Sequence, residues 1–160
     1  MNKTTKVLSL SIVMFALVGL VTFPTASASY TEGCTPGFWK NNADKKGADQ
    51  WPEGITPTTT LGSVGLINAN GIDVDNTTFF EALNFKGKDG AEAKLLRAAA
   101  AAILSVEAGV GYPLMLDKII EGTNKGLASD DDGYVLYLKD ILDYYNNLGC
   151  PLNNSGKGDY

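Results

Sequence analysis

The chain has 160 residues, carries a net charge of −5, and contains two cysteines and no histidine. This length is typical of one globular domain, and such a domain buries enough surface to form a core without a stabilising metal. The missing histidine excludes Ser-His-Asp and Cys-His catalysis and histidine-based zinc sites, while the acidic charge disfavours nucleic acid and anionic membrane surfaces as partners.

Residues 1–28 are typical of a secretory signal peptide. Lys3 and Lys6 precede an apolar run, and Ala26-Ser27-Ala28 supplies small residues at the spacing that signal peptidase recognises. We expect cleavage after Ala28 and no membrane insertion afterwards. The alternative is an N-terminal membrane anchor, because about 17 apolar residues are near the lower limit for spanning a bilayer. Cleavage would remove two lysines and no acidic residue, so the remaining chain would be more acidic still.

The sequence after the leader predicts a single secreted helical domain over residues 29–152, followed by a flexible polar tail over residues 153–160. Residues 29–75 are rich in Gly, Pro, Thr and Asn, which predicts loops and turns. A short helix over residues 38–44 is the exception. Residues 58–67 alternate too weakly to predict a strand.

Helical patterns begin at Thr78, where a Thr-x-x-Glu capping box with Glu81 predicts a short helix that ends at Leu83. Residues 91–108 give the clearest helical pattern, with Asp89 and Glu92 at the spacing of a capping pair. The alanine run at residues 98–102 lets another helix approach closely, so we expect the packing centre there rather than an exposed membrane- or ice-binding face.

Two further helices complete the predicted fold. Pro113 suits the first turn of a helix that ends at Thr123 or Leu127. The last helix is expected to begin within residues 129–132 and to end at Gly149. The fold class is therefore mainly α, a small bundle of about four helices with a loop-rich N-terminal third and one disulfide.

The two cysteines predict that disulfide. In an oxidising compartment Cys34 and Cys150 have only each other as partners, and the bond would join the two ends of the domain. A redox-active or metal-binding pair is the alternative, but the chain has no Cys-x-x-Cys motif to support it.

Several residues are candidates for binding. Trp39 and Trp51 are candidate glycan contacts, although packing around the disulfide is the interpretation we favour. Asn76 and Asn153 begin N-glycosylation sequons. Tyrosines on the last helix are candidates for a partner surface, although about half of them should simply border the core. These tyrosines are Tyr134, Tyr137, Tyr144 and Tyr145.

Acidic residues suggest two further kinds of site. Calcium could bind at residues 130–133 or in the loop of residues 68–75, but neither has the order of ligands of an EF-hand, and helix capping explains the three consecutive aspartates. A pair of carboxylates could catalyse glycoside hydrolysis, although nothing in the sequence selects a pair. The oxygen ligands of the loop are Asn68, Asn70, Asp73 and Asp75, and the candidate acids of a pair are Glu81, Glu92, Glu107 and Glu121.

Four segments together resemble a known class. They are Cys34-Thr35-Pro36-Gly37-Phe38-Trp39-Lys40-Asn41, Leu95-Leu96-Arg97-Ala98-Ala99, Tyr112-Pro113, and Leu142-Asp143 with residues 146–152. The chain resembles an uncharacterised class of secreted bacterial and archaeal proteins with a C-T-P-G-aromatic-W-K-N motif and a closing N-N-x-G-C-P-L motif. Many members carry a histidine where this chain has Asn42. The resemblance implies secretion, the disulfide and a shared fold, and it implies no chemistry.

Taken together, the sequence predicts a secreted or cell-envelope protein without enzymatic activity or cofactor, which acts by binding or assembly. Its expected partner is an extracellular protein or glycan. The alternatives are a small secreted hydrolase that uses carboxylates and a calcium-dependent surface module.

Overall fold

A computed structural model describes residues 32–43, 50–68 and 71–154, without the side chains of residues 153–154. The predicted signal peptide and the side chain of Asn153 lie outside the described residues, as does most of the predicted tail. Within these ranges the chain forms a mainly helical bundle with no strand. Residues 58–67, for which no strand was predicted, contain a 3₁₀ turn, Gly62–Val64. The helices are α1 (Pro36–Asn41), α2 (Phe79–Leu83), α3 (Ala91–Glu107), α4 (Leu116–Leu127) and α5 (Asp132–Asn146).

Helix α3 is the centre of the bundle and packs against all four of the other helices. Its alanines at positions 98–102 are buried, which confirms them as a packing centre. Alanine side chains are short, so neighbouring helix backbones can approach closely along this run. The large side chains of the core lie around it and include Trp39, Phe79, Leu95, Ile103 and Ile119.

Two predicted caps at helix N-termini are confirmed. The Thr78 hydroxyl accepts a hydrogen bond from the Glu81 N–H at 3.2 Å, and a Glu81 carboxylate oxygen accepts one from the Thr78 N–H at 2.8 Å. At the start of α5, the Asp131 carboxylate accepts a hydrogen bond from the Gly133 N–H at 2.9 Å. One of the three consecutive aspartates therefore caps a helix, as the capping interpretation expects.

Helix α3 begins at Ala91 as predicted, but its predicted cap is wrong, and so is the predicted start of α4. Helix α3 has Gly90 as its N-cap and no side-chain cap, because Asp89 instead accepts a hydrogen bond from the Lys86 N–H at 2.6 Å and closes the preceding loop. Helix α4 begins at Leu116, three residues after Pro113. Tyr112 holds the segment before α4 against α5, because its hydroxyl lies 3.0 Å from the Asn146 side-chain oxygen. With this segment fixed, the helix begins later in the chain.

The disulfide between Cys34 and Cys150 is present and joins the segment before α1 to the segment after α5. Beside it, the Gly33 N–H donates to the Gly149 carbonyl at 3.0 Å. Gly33 lies so close to the carbonyl of Tyr145 that a Cβ atom would overlap with that oxygen. Both ends of the described chain are thus fixed at one place on the bundle. Among the helices described, none has the length and apolarity needed to cross a membrane.

Candidate functional site

A polar cleft opens where α1, α3 and α5 meet, and we call it the basic cleft. Its volume is about 340 Å³. The start of α1 forms one side, α3 contributes two cations, and α5 contributes a lysine, an aspartate and an asparagine. The residues that line it are Thr35, Pro36, Gly37, Gly87, Lys94, Arg97, Lys139, Asp143 and Asn147.

Helix α3 places Lys94 and Arg97 three residues apart, so both side chains lie on the same face of the helix. Arg97 is the one arginine of the chain. Its Nε is buried from solvent and has no hydrogen-bond partner among the described residues. Neither side chain takes part in the ion pairs found in that part of the chain. An anion in the cleft would therefore meet two cations that have no carboxylate partner among the described residues.

Helix α5 supplies the third cation and the acceptors. The Lys139 ammonium lies 2.8 Å from both Asp140 and Asp143, and hydrogen bonds to these carboxylates raise the pKa of Lys139. The Asn147 side chain donates to the Asp143 carbonyl at 2.7 Å, which leaves its amide oxygen to accept from another group. This side of the cleft offers both hydrogen-bond donors and acceptors.

The start of α1 is held rigidly at the edge of the cleft. The Thr35 hydroxyl accepts a hydrogen bond from the Phe38 N–H at 3.1 Å, and Pro36 occupies the first turn, where its missing N–H has no cost. Cys34, in the disulfide, directly precedes this cap. The covalent bond therefore fixes the wall of the cleft against the end of α5.

Sequence reasoning did not find the basic cleft, because it is formed by residues that are distant in the chain. Thr35-Pro36-Gly37, Arg97, Asp143 and Asn147 belong to motif segments that the sequence analysis singled out, and the fold brings these three separate segments together at one site.

Trp39 and Trp51 lie in the core and not in the cleft. Trp39 is fully buried, and Trp51 is 8% exposed. The Trp39 ring N–H donates to the Ser105 hydroxyl at 3.4 Å, and the Trp51 ring N–H donates to the Trp39 carbonyl at 3.2 Å. The two rings meet edge to face with centroids 6.3 Å apart. This burial agrees with packing around the disulfide, and a glycan contact by Trp39 or Trp51 stays untested.

The carboxylates of the candidate calcium loop, residues 68–75, form hydrogen bonds within that loop. Asp73 accepts hydrogen bonds from the Asp75 N–H at 3.1 Å and from the Asn76 side chain at 2.7 Å, while Asn68 bonds both Asp75 and the Val74 N–H. Asn70 lies outside the described residues. Within the described ranges no three Asp, Glu or Cys residues are grouped as metal ligands. Calcium binding stays an untested alternative.

The four glutamates considered for hydrolysis have separate positions. Glu81 belongs to the capping box, and hydrogen bonds from the Thr78 backbone and hydroxyl lower its pKa. Hydrogen bonds from Lys125 and Lys118 lower the pKa of Glu121 to about 2. Glu92 and Glu107 lie at opposite ends of α3, about 22 Å apart at 1.5 Å per residue. Of the described residues that line the basic cleft, Asp143 alone carries a carboxylate, whereas this type of hydrolysis uses two.

The remaining surface candidates are accessible. Asn76 is exposed, and its side chain donates to Asp73. On α5, Tyr137 and Tyr144 are 61% and 66% exposed, and Tyr134 is exposed as well. Tyr145 is half-buried, with its ring against those of Tyr112 and Tyr144. The tyrosines of α5 are thus divided between the surface and the border of the core.

No protein family, curated protein or solved structure matches this chain in the three comparisons made. The functional argument therefore depends on the chemistry of the basic cleft.

Proposed function

We propose that this chain is a secreted, non-enzymatic protein that binds an anionic extracellular ligand in the basic cleft. The observation that carries the proposal is the convergence of Lys94, Arg97 and Lys139 on one cleft of a chain whose net charge is −5. Lys139 is paired with Asp140 and Asp143, but Lys94 and Arg97 carry like charges that repel each other, and a bound anion offsets that repulsion. The buried Nε of Arg97, which has no partner among the described residues, adds a donor that such a ligand would satisfy.

The mixed lining of the cleft favours an acidic saccharide as the ligand. A sugar carboxylate pairs with the fork of donors on Arg97, and sugar hydroxyls both donate to and accept from groups such as Asp143 and Asn147. The volume of about 340 Å³ lies within the range of known ligand pockets, roughly 300–1,000 Å³. A purely cationic site would suit a bare anion better than this mixture does.

Export is part of the same proposal. The Cys34–Cys150 disulfide supports it, because such bonds persist in oxidising compartments. The leader of residues 1–28 supports it as well, since its charge, apolar run and small residues have the order of a cleaved signal peptide. Extracellular glycans would be accessible to a protein exported in this way.

Calorimetric titration of the oxidised protein with oligogalacturonate tests the proposed ligand class. We expect binding that weakens as salt rises, because salt screens the attraction between charges. Arg97→Gln should reduce the affinity about tenfold or more, since a hydrogen bond to a charged group contributes roughly 1.5–3 kcal/mol. Lys94→Gln should also reduce the affinity.

Lys125→Gln is the matched control, because Lys125 is an exposed lysine of α4 that does not line the cleft. It should bind as the unmodified protein does. Equal losses in all three variants would mean that only net charge matters and would contradict the proposal. Binding of polyglutamate with the same dependence on Arg97 would keep the cleft as the site and replace the saccharide by an acidic peptide.

A further inference from the structure

A second pocket lies between α4 and α5, and we call it the apolar pocket. Its volume is about 230 Å³. Aliphatic side chains form most of its lining, and the single charged side chain, Lys118, is exposed and lies 2.9 Å from Glu121. The lining residues are Leu114, Lys118, Ile119, Gly122, Thr123, Leu138, Ile141 and Leu142. None of them belongs to the basic cleft.

Thr123 is one of the residues that line the pocket, and it carries a buried hydroxyl. The residue is 1% exposed, and its hydroxyl has no hydrogen-bond partner in the described part of the chain. A valine would have nearly the same shape without the cost of burying an unpaired hydroxyl. Buried polar groups are otherwise almost always hydrogen-bonded. The Thr123 hydroxyl is thus a donor and acceptor that packing within the chain leaves unused.

Gly122 gives an independent indication that the pocket is kept open. It lies in the interior of α4, where glycine is less favourable than alanine, and a Cβ atom there would meet nothing within 4 Å. Gly126, one turn later, differs, because a Cβ there would lie 3.0 Å from Leu138 and closer still to Leu95. Packing explains Gly126. Among the described residues nothing comparable explains Gly122, which lines the pocket.

We propose that the apolar pocket binds a small molecule that has an aliphatic body and one hydrogen-bonding group, with the Thr123 hydroxyl as its polar partner. The volume is slightly below the range of roughly 300–1,000 Å³ that holds drug-sized ligands. This site is distinct from the proposed anion site and does not depend on it.

The dimensions favour a small molecule over a polypeptide. On α4 the lining runs from Lys118 to Thr123, about 8 Å along the axis at 1.5 Å per residue. A docked amphipathic helix uses anchors spread over about two turns, which is a longer groove. The exposed tyrosines of α5 do not line the pocket.

Titration of the oxidised full chain with 1-hexanol and with n-hexane, followed by methyl NMR, tests this assignment. Both probes should shift the methyl signals of Leu138, Ile141 and Leu142 in a saturable way. Thr123→Val should weaken hexanol binding about fivefold, the effect of one neutral hydrogen bond, and leave hexane binding unchanged. Gly122→Leu should abolish the binding of both probes, because the new side chain fills the pocket.

Lys125→Leu controls for the added leucine, since it introduces the same side chain on α4 outside the pocket and should not affect binding. Gly122→Ala is the second variant; it should raise the melting temperature through helix propensity and weaken binding. Four outcomes would overturn the proposal. They are the absence of saturable methyl shifts, unchanged binding by Gly122→Leu, equal effects of Thr123→Val on the two probes, and methyl shifts that depend on protein concentration alone, which would assign the pocket to a second copy of the chain.

Discussion

Asn146 and Tyr112 show how single polar residues join the elements of this core. The buried Asn146 side chain donates to the Ala98 carbonyl of α3 at 3.0 Å and accepts from the Tyr112 hydroxyl at 3.0 Å. The same hydroxyl lies 3.3 Å from the Leu142 carbonyl. A network whose members are satisfied in this way stabilises one arrangement of the helices, because each member loses its partner if the packing changes.

Tyr112 makes the stability of the protein sensitive to alkaline pH. The pKa of Tyr112 is raised far above its ordinary value. Burial is the largest cause, and the negative charge of nearby Asp143 is the second. The unfolded chain loses the phenolic proton of Tyr112 above about pH 10, whereas the folded chain retains that proton. The stabilising contribution is therefore complete below pH 10 and decreases as the pH rises beyond it.

Tyr112→Phe tests this linkage. We expect the variant to be less stable by about 1–3 kcal/mol at pH 8, because the buried oxygen of Asn146 loses its donor. Its free energy of unfolding should also fall less steeply than that of the unmodified protein between pH 10 and 11. Urea denaturation at several pH values measures both effects. Parallel pH profiles for the two proteins would show that Tyr112 titrates normally.

At the scale of the elements, the stability of the bundle depends on the short side chains of α3. Ala100 is fully buried. Ala100→Leu should destabilise the protein by about 1–3 kcal/mol, because added methylene groups in a packed core force neighbouring side chains out of place. Glu107→Leu, at the exposed end of the same helix, should change stability by less than about 0.5 kcal/mol. Thermal or chemical denaturation compares them, and equal stability of the two variants would mean that α3 is not the packing centre.

The sequence predicted those elements whose signals are local. The period of apolar residues in α3 and α5 and the capping box of Thr78 depend on residues within a few positions of one another. The predicted start of α4 was wrong because it was based on the local sequence around Pro113. The contact of Tyr112 with α5 is a tertiary interaction, which the local sequence does not show. Gly90 at the start of α3 was missed for a similar reason, since Asp89 is used by the loop before it.

The basic cleft shows the same limit more strongly. Lys94 and Arg97 are ordinary polar residues on one face of a helix when they are read alone. Only the packing of α3 against α5 brings Lys139 to the same cleft, and only packing buries the Nε of Arg97. Composition could predict that the chain as a whole is acidic, but it contains no information about where a positive site forms.

At the scale of the whole molecule, the disulfide joins residues that are 116 positions apart and so restricts nearly the entire unfolded domain. Replacing Cys34 and Cys150 with alanine should lower the free energy of unfolding by about 2–5 kcal/mol, with most of the effect on the unfolded chain. Urea denaturation of the double variant and of the oxidised protein measures the difference. Asn147→Ala, an exposed change near the same end of α5, should have a much smaller effect.

The same double variant should also lose affinity at the basic cleft. Cys34 directly precedes the Thr35 cap of α1, so loss of the bond frees the wall of the cleft from the end of α5. Binding of oligogalacturonate should therefore weaken even at temperatures where the variant is fully folded, because a mobile wall must be ordered when the ligand binds. Unchanged affinity in the folded variant would show that the bundle alone positions α1, and that the disulfide contributes to stability without shaping the site.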